Sequence, residues 1–166
     1  MIRTQLTLFV NKNDSSEIEK VRQKYNPIQY GLIDSHVTLC RENEIENLPQ
    51  VIRNLLNLNI ANISIEFWQV RRFHFDQGVL LPSLGQNHDF QMLRTLVLKN
   101  IIDNPSSMEA HITLMHPRNS ECNEEIFREI RKNTFPESIL FQTIALIQQE
   151  NGGVWKSVES FQISKY

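Results

Sequence analysis

A chain of 166 residues, 40% of them hydrophobic, has enough material for one well-formed core and too little for two full domains. With 22% charged residues, only 5 glycines and 6 prolines, and no low-complexity stretch, the composition excludes disordered and fibrous classes. The net charge is −2 and no long basic run is present, which argues against a protein that tracks an extended nucleic-acid backbone.

The first ten residues lack a basic segment followed by a long apolar run and a small-residue cleavage site, so no signal peptide is expected. Mean hydropathy is −0.35 and no apolar run approaches the roughly 20 residues of a spanning helix. These features predict a cytoplasmic protein without a membrane association. Two cysteines, Cys40 and Cys122, make neither a disulfide framework nor a metal cluster, in keeping with a reducing compartment and free thiols.

Gln5 to Val10 reads as a short strand, and Asp14-Ser-Ser-Glu-Ile supplies capping residues ahead of a helix through Tyr25, which Asn26-Pro27 stops. Ser35 to Cys40 is strand-like, residues 47–58 carry apolar side chains at helical spacing, and Ile63 to Val70 alternates as a strand. The alternation continues to Phe75, with Asp76-Gln77-Gly78 as a hairpin turn into Val79 to Leu81. A helical pattern runs from Asp89 to Asp103 and is closed by Asn104-Pro105. Ala110 to Met115 is the next strand, and Glu124 to Lys132 is amphipathic. Ile139 to Gln148 and Val154 to Ile163 read as two strands joined by a tight turn at Asn151-Gly152-Gly153. Each half thus places one short histidine-bearing strand after its first helix, the mark of a duplicated two-lobed α+β arrangement over residues 1–166.

Two tetrapeptides carry the functional reading: His36-Val37-Thr38-Leu39 and His111-Ile112-Thr113-Leu114, 111 − 36 = 75 residues apart. On a strand, side chains two apart share a face, so His and Thr point one way while Val or Ile and Leu anchor the other face in a core. A single such motif is explained by a histidine making an ordinary hydrogen bond on a strand; the repeat of type and context is not. Two such strands side by side present two imidazoles and two hydroxyls around one space. In-line phosphodiester cleavage calls for that set: one histidine takes a proton from the attacking water, the other gives one to the leaving oxygen, and the hydroxyls donate to the non-bridging oxygens. Imidazole serves both roles because its ordinary pKa, about 6.5, lies near neutrality.

On these motifs, and on the order of elements over nearly the whole chain, the sequence resembles the two-histidine (2H) phosphoesterase superfamily, which includes bacterial 2′-5′ RNA ligase-like proteins and cyclic phosphodiesterases. The stretch from Ile144-Ala-Leu146 through Gly153-Val-Trp155 to Phe161-Gln-Ile163 is similar to the closing hairpin of that family. The resemblance implies an α+β, bilobal, duplicated fold with two antiparallel sheets flanking a central cleft and helices outside. It also implies no metal, no cofactor, and a site holding His36, Thr38, His111 and Thr113. Many members carry a basic residue soon after the histidine motif; Arg41 stands there after the first, His116 and Arg118 after the second.

Other candidates have plainer explanations beside them. Arg71 and Arg72, among Trp68, Phe73 and Phe75, offer cation and stacking surface for a base, or are a solvated face over core aromatics. His74 alternates with Phe73 and Phe75, so it shares a face with Arg72 and is a candidate to line the cleft. Cys40 shares the parity of His36 and Thr38, yet cysteine most often behaves as a small buried apolar residue. His88 sits in a polar loop. The histidines lack the one-turn helical spacing and accompanying carboxylate of zinc hydrolase motifs. The expected activity is metal-independent hydrolysis of a nucleoside 2′,3′-cyclic or related cyclic phosphate. Cleavage or joining at a 2′-5′ linkage, and binding of nucleotide or RNA without turnover, remain the alternatives. The expected partner is a small nucleotide or an RNA end, with no obligate protein partner.

Overall fold

A computed structural model describes residues 1–74 and 77–165; Phe75 and Asp76, where the sequence pattern ends a strand and begins a turn, lie outside the described residues, as does Tyr166. The elements in order are β1 (Ile2–Phe9), α1 (Lys12–Tyr25), α2 (Pro27–Tyr30), β2 (His36–Cys40), α3 (Leu48–Leu56), β3 (Ile63–Glu66), β4 (Arg71–Arg72) and β5 (Val79–Pro82). They continue with α4 (His88–Val97), β6 (His111–Met115), α5 (Glu124–Ile130), β7 (Ser138–Phe141), β8 (Thr143–Glu150) and β9 (Trp155–Gln162). Short 3-10 turns follow each histidine strand, at Glu42–Glu44 and Pro117–Asn119.

The fold is α+β, as expected. Seven strands form one antiparallel sheet in the order β4-β5-β6-β2-β1-β8-β9, and β3 and β7 make a small second sheet. The halves of the large sheet meet where β2 pairs with β6, with Val37 opposite Ile112. Both residues are fully buried, with Leu39 and Leu114 beside them in the core. Helix α1 packs against β6, while α4 packs against β2 and β3, so each histidine strand is backed by a helix from the other half of the chain. Among the described residues no helix is long and apolar enough to cross a membrane.

Four boundaries differ from the sequence reading for identifiable reasons. Helix α1 starts earlier because Asn11 is its cap, accepting from the N–H groups of Asn13 and Asp14 at 3.0 and 3.1 Å. The strand beginning at Ile63 ends at Glu66, since the chain then leaves β7 for the large sheet: Trp68 N donates to Pro82 O at 2.8 Å. The segment expected as one strand from Ile139 is two strands in two sheets. Main-core residues stand at odd positions in β7 (Ile139, Phe141) and at even ones in β8 (Ile144, Leu146), while Ala145 and Ile147 are buried on the other face of β8; this one-residue slip at Gln142 turns the chain from one sheet to the other. Helix α4 stops at Val97, and Asn100 beyond it adopts a left-handed φ of 62°. The turn at Asn151-Gly152, both with positive φ, joins β8 to β9 as expected.

Candidate active site

Antiparallel pairing with Val37 opposite Ile112 sets His36 beside Thr113 and Thr38 beside His111. Directly opposite residues of such a pair have Cβ atoms about 5 Å apart. All four side chains are half-buried and line one cavity of about 720 Å³. The rest of that wall comes mainly from β1 (Arg3, Gln5), the turns after the histidine strands (Arg41, His116, Arg118), and Phe73 and Trp155. A larger depression, about 920 Å³, adjoins it across Leu32, Ile33 and Trp155 but contains neither histidine.

The two imidazoles are held alike. His36 Nδ1 lies 2.8 Å from the Asp34 carbonyl oxygen, and His111 Nδ1 lies 3.1 Å from that of Glu109, each two residues upstream. A carbonyl oxygen only accepts, so Nδ1 carries the proton in both rings and Nε2 is left for the cavity. Each ring also meets a phenylalanine edge: Phe9 at 6.1 Å from His36 and Phe73 at 5.6 Å from His111, centroid to centroid.

Burial pushes the His36 imidazole down to about 4, against the opposing pull of the Asp34 carbonyl; Arg22 and His111 add to the drop, and Glu19 counters it. His111 is also lowered, chiefly by burial, with Glu109 opposing through its carbonyl and its carboxylate, and Arg41 and Arg71 reinforcing. Each ring thus has one acidic neighbour that opposes the drop, Glu19 for His36 and Glu109 for His111.

The threonine on β2 is oriented from the next strand. Gln5 Nε2 donates to Thr38 Oγ1 at 3.1 Å and to Thr7 Oγ1 at 3.2 Å, while Thr7 is buried and gives its own proton to Val37 O at 3.4 Å. With an acceptor lone pair of Thr38 already used, its hydroxyl hydrogen is directed elsewhere, and the cavity is where it opens.

Of the basic candidates, Arg41 and Arg118 stand exposed on the rim, and His116 is half-buried in the wall. His116 N donates to Asn26 Oδ1 at 2.9 Å and its Nδ1 accepts from Arg118 N at 3.1 Å. Burial lowers its pKa, helped by Arg118 and Arg3. Arg72 and His74 are not brought to the cavity. Arg72 instead donates to Glu124 at 2.7 Å and to Cys122 O at 3.1 Å, and lies over the Phe127 ring, fastening the start of α5. The strand ends at Arg72, so it is Phe73 that faces the site, and His74 is exposed outside the lining. Cys40 is fully buried, and burial pushes its thiol up to about 12, which leaves no thiolate for nucleophilic work near neutrality. Among the described residues no group of three or more His, Cys, Asp or Glu side chains is arranged to hold a metal ion.

The sequence reading missed Arg3, Gln5 and Trp155. Arg3 sits over the Trp155 ring at 5.4 Å and bonds Gln149 at 3.3 Å and Glu42 at 3.2 Å, closing one end of the cavity. The alternation of Arg3, Gln5 and Thr7 with Leu6 and Leu8 was the available signal for a polar cleft-facing strand.

The sequence matches no family model and no curated protein. Solved structures do match in shape. Escherichia coli LigT in complex with 3′-AMP is 15% identical, with 98% of each chain covered and a TM-score of 0.63. A protein solved as a phosphoesterase is 14% identical over 98% of each chain, with a TM-score of 0.65. The protein TT0787 of Thermus thermophilus is 15% identical over 99% of this chain and 100% of its own, with a TM-score of 0.61. Over nearly its whole length, the chain therefore has the fold of E. coli LigT.

Proposed function

We propose that the protein is a two-histidine phosphoesterase that opens a nucleoside 2′,3′-cyclic phosphate to a monoester without a metal. The observation that carries this reading is the square of His36, Thr38, His111 and Thr113 on adjacent antiparallel strands, with both Nε2 atoms left to one cavity. His36, the more strongly depressed imidazole, is neutral at pH 7 and accepts a proton from the attacking water as its oxygen bonds to phosphorus. His111, with Glu109 favouring its protonated form, donates a proton to the ribose oxygen as the phosphorus–oxygen bond breaks. Thr38 and Thr113 donate to the non-bridging oxygens, where negative charge grows in the transition state. Arg41 and Arg118 on the rim of the cavity favour an anionic substrate, Arg3 being paired with Glu42. Proton exchange with solvent then resets both rings.

The fold shared with LigT supports the substrate class. Breaking the bond to the 2′ oxygen yields a 3′-monophosphate, the chemical class of the 3′-AMP held in the LigT complex. The test is turnover of the four 2′,3′-cyclic nucleotides, with and without EDTA. Conversion that survives EDTA and disappears in both His36→Ala and His111→Ala supports the reading; full activity in either variant overturns it.

A further inference from the structure

His36 is oriented by one atom, the carbonyl oxygen of Asp34, and the peptide carrying it is gripped on both sides by a charged pair on α1. Arg22 Nη2 donates to Ile33 O at 2.6 Å, and Ser35 N donates to Glu19 Oε1 at 2.5 Å. The pair is itself closed, Arg22 Nη1 to Glu19 Oε2 at 2.5 Å, from positions one helical turn apart. Arg22 is 1% exposed although it is an arginine, and it also reaches Gln29 O at 3.5 Å. Glu19 is 21% exposed, and an ion pair with one partner buried brings little net stability over well-packed apolar residues of the same volume. Its placement next to the carbonyl that sets an imidazole therefore points to geometry. His111 has a looser arrangement: its carbonyl partner is at 3.1 Å, and the neighbouring Glu109 carboxylate pairs with Arg71, whose side chain is 54% exposed.

We infer that Glu19 and Arg22 are positioning residues for His36, fixing the Asp34 carbonyl so that Nδ1 stays protonated and Nε2 stays open to the cavity. The inference rests on the proposed role of His36 in proton transfer, but its main readout does not. Nitrogen-15 NMR of the histidine rings reports the tautomer whether or not a substrate has been found. The wild type is expected to hold neutral His36 with Nδ1 protonated. In Glu19→Gln, which keeps the acceptor for Ser35 N, that tautomer is expected to persist. In Arg22→Lys, which keeps the charge but cannot serve Glu19 and Ile33 O together, and in the charge-free Glu19→Leu/Arg22→Met double variant, the tautomers are expected to mix. In those variants kcat is expected to fall at least about 10-fold with KM within about 2-fold, the mark of a misplaced group. Arg22→Lys introduces no unpaired charge, so it serves if the double variant does not fold. A wild-type His36 with Nε2 protonated, or a folded Arg22→Lys with unchanged tautomer and unchanged kcat, would overturn the inference. Absence of turnover on every substrate with an unchanged wild-type tautomer would count against the proposed function and leave the positioning role standing.

Discussion

Acidification is expected to destabilise the protein partly through one side chain. Burial holds His36 near 4 in the folded chain, whereas its ordinary value is 6.5. Below that ordinary value the unfolded chain takes up the proton first. The stability present above about pH 6.5 is therefore lost as the pH falls towards 4, with no further change from this group below it. At about pH 4.5 the loss amounts to roughly 2.5 kcal/mol, a ceiling because water in the cleft screens part of the desolvation. Urea denaturation of the wild type and of His36→Asn, at about pH 7.5 and about pH 4.5, isolates this contribution from that of all other groups. The wild type is expected to lose up to that much more stability than the variant. Equal losses in the two proteins would refute the reasoning, because they would mean that His36 is not held as a buried neutral imidazole.

Turnover should follow the same displacement: kcat/KM is expected to trace a bell whose rising limb lies near 4 and whose falling limb, where His111 gives up its proton, lies below 6.5. Optimal kcat/KM well above neutrality would contradict it. Thr38→Val and Thr113→Val are each expected to lower kcat by about 2 to 4 kcal/mol, roughly 30- to 900-fold, with unchanged thermal unfolding. Gln5→Leu, which frees Thr38 Oγ1, is expected to lose about 5-fold in the same assay. Arg94→Met should be a stability variant. Arg94 is 1% exposed, pairs with the half-buried Glu44 at 2.6 Å and donates to Leu39 O within β2, so its removal leaves that buried carbonyl unpaired and costs about 1 to 3 kcal/mol by urea denaturation. Gly78→Ala should cost at least about 1 kcal/mol, since φ is 93° and a Cβ there would collide with Met115 O at the end of β6.

The pair of histidine motifs was legible because strand alternation maps two-residue spacing directly onto a shared face, and the apolar Val37, Leu39, Ile112 and Leu114 announce the buried one. Their juxtaposition was not legible from periodicity: it depends on the single register Val37 to Ile112 between strands 75 residues apart. The fate of Arg72 and His74 turned on where β4 ends, a boundary set by its two-residue pairing with β5 through Arg71 and Arg72 and not by local composition. Glu19 and Arg22 look like any solvated helical pair at i, i+3. Only the tertiary placement of residues 33–35 against α1 buries Arg22 and turns the pair into a grip on that peptide. The slip at Gln142 was not readable, because Ile144-Ala145-Leu146-Ile147 is apolar on both faces and shows no parity to set against Ile139 and Phe141.

The most direct test of the account is phosphorus NMR of 2′,3′-cyclic AMP turned over in oxygen-18 water. Hydrolysis by the proposed route places a single heavy oxygen on the phosphorus of one monoester, seen as one isotope-shifted product resonance in the wild type and none in the His36→Ala/His111→Ala protein. An unlabelled product, or label incorporated equally by the double variant, would contradict the assignment of the paired histidines as the acid and base.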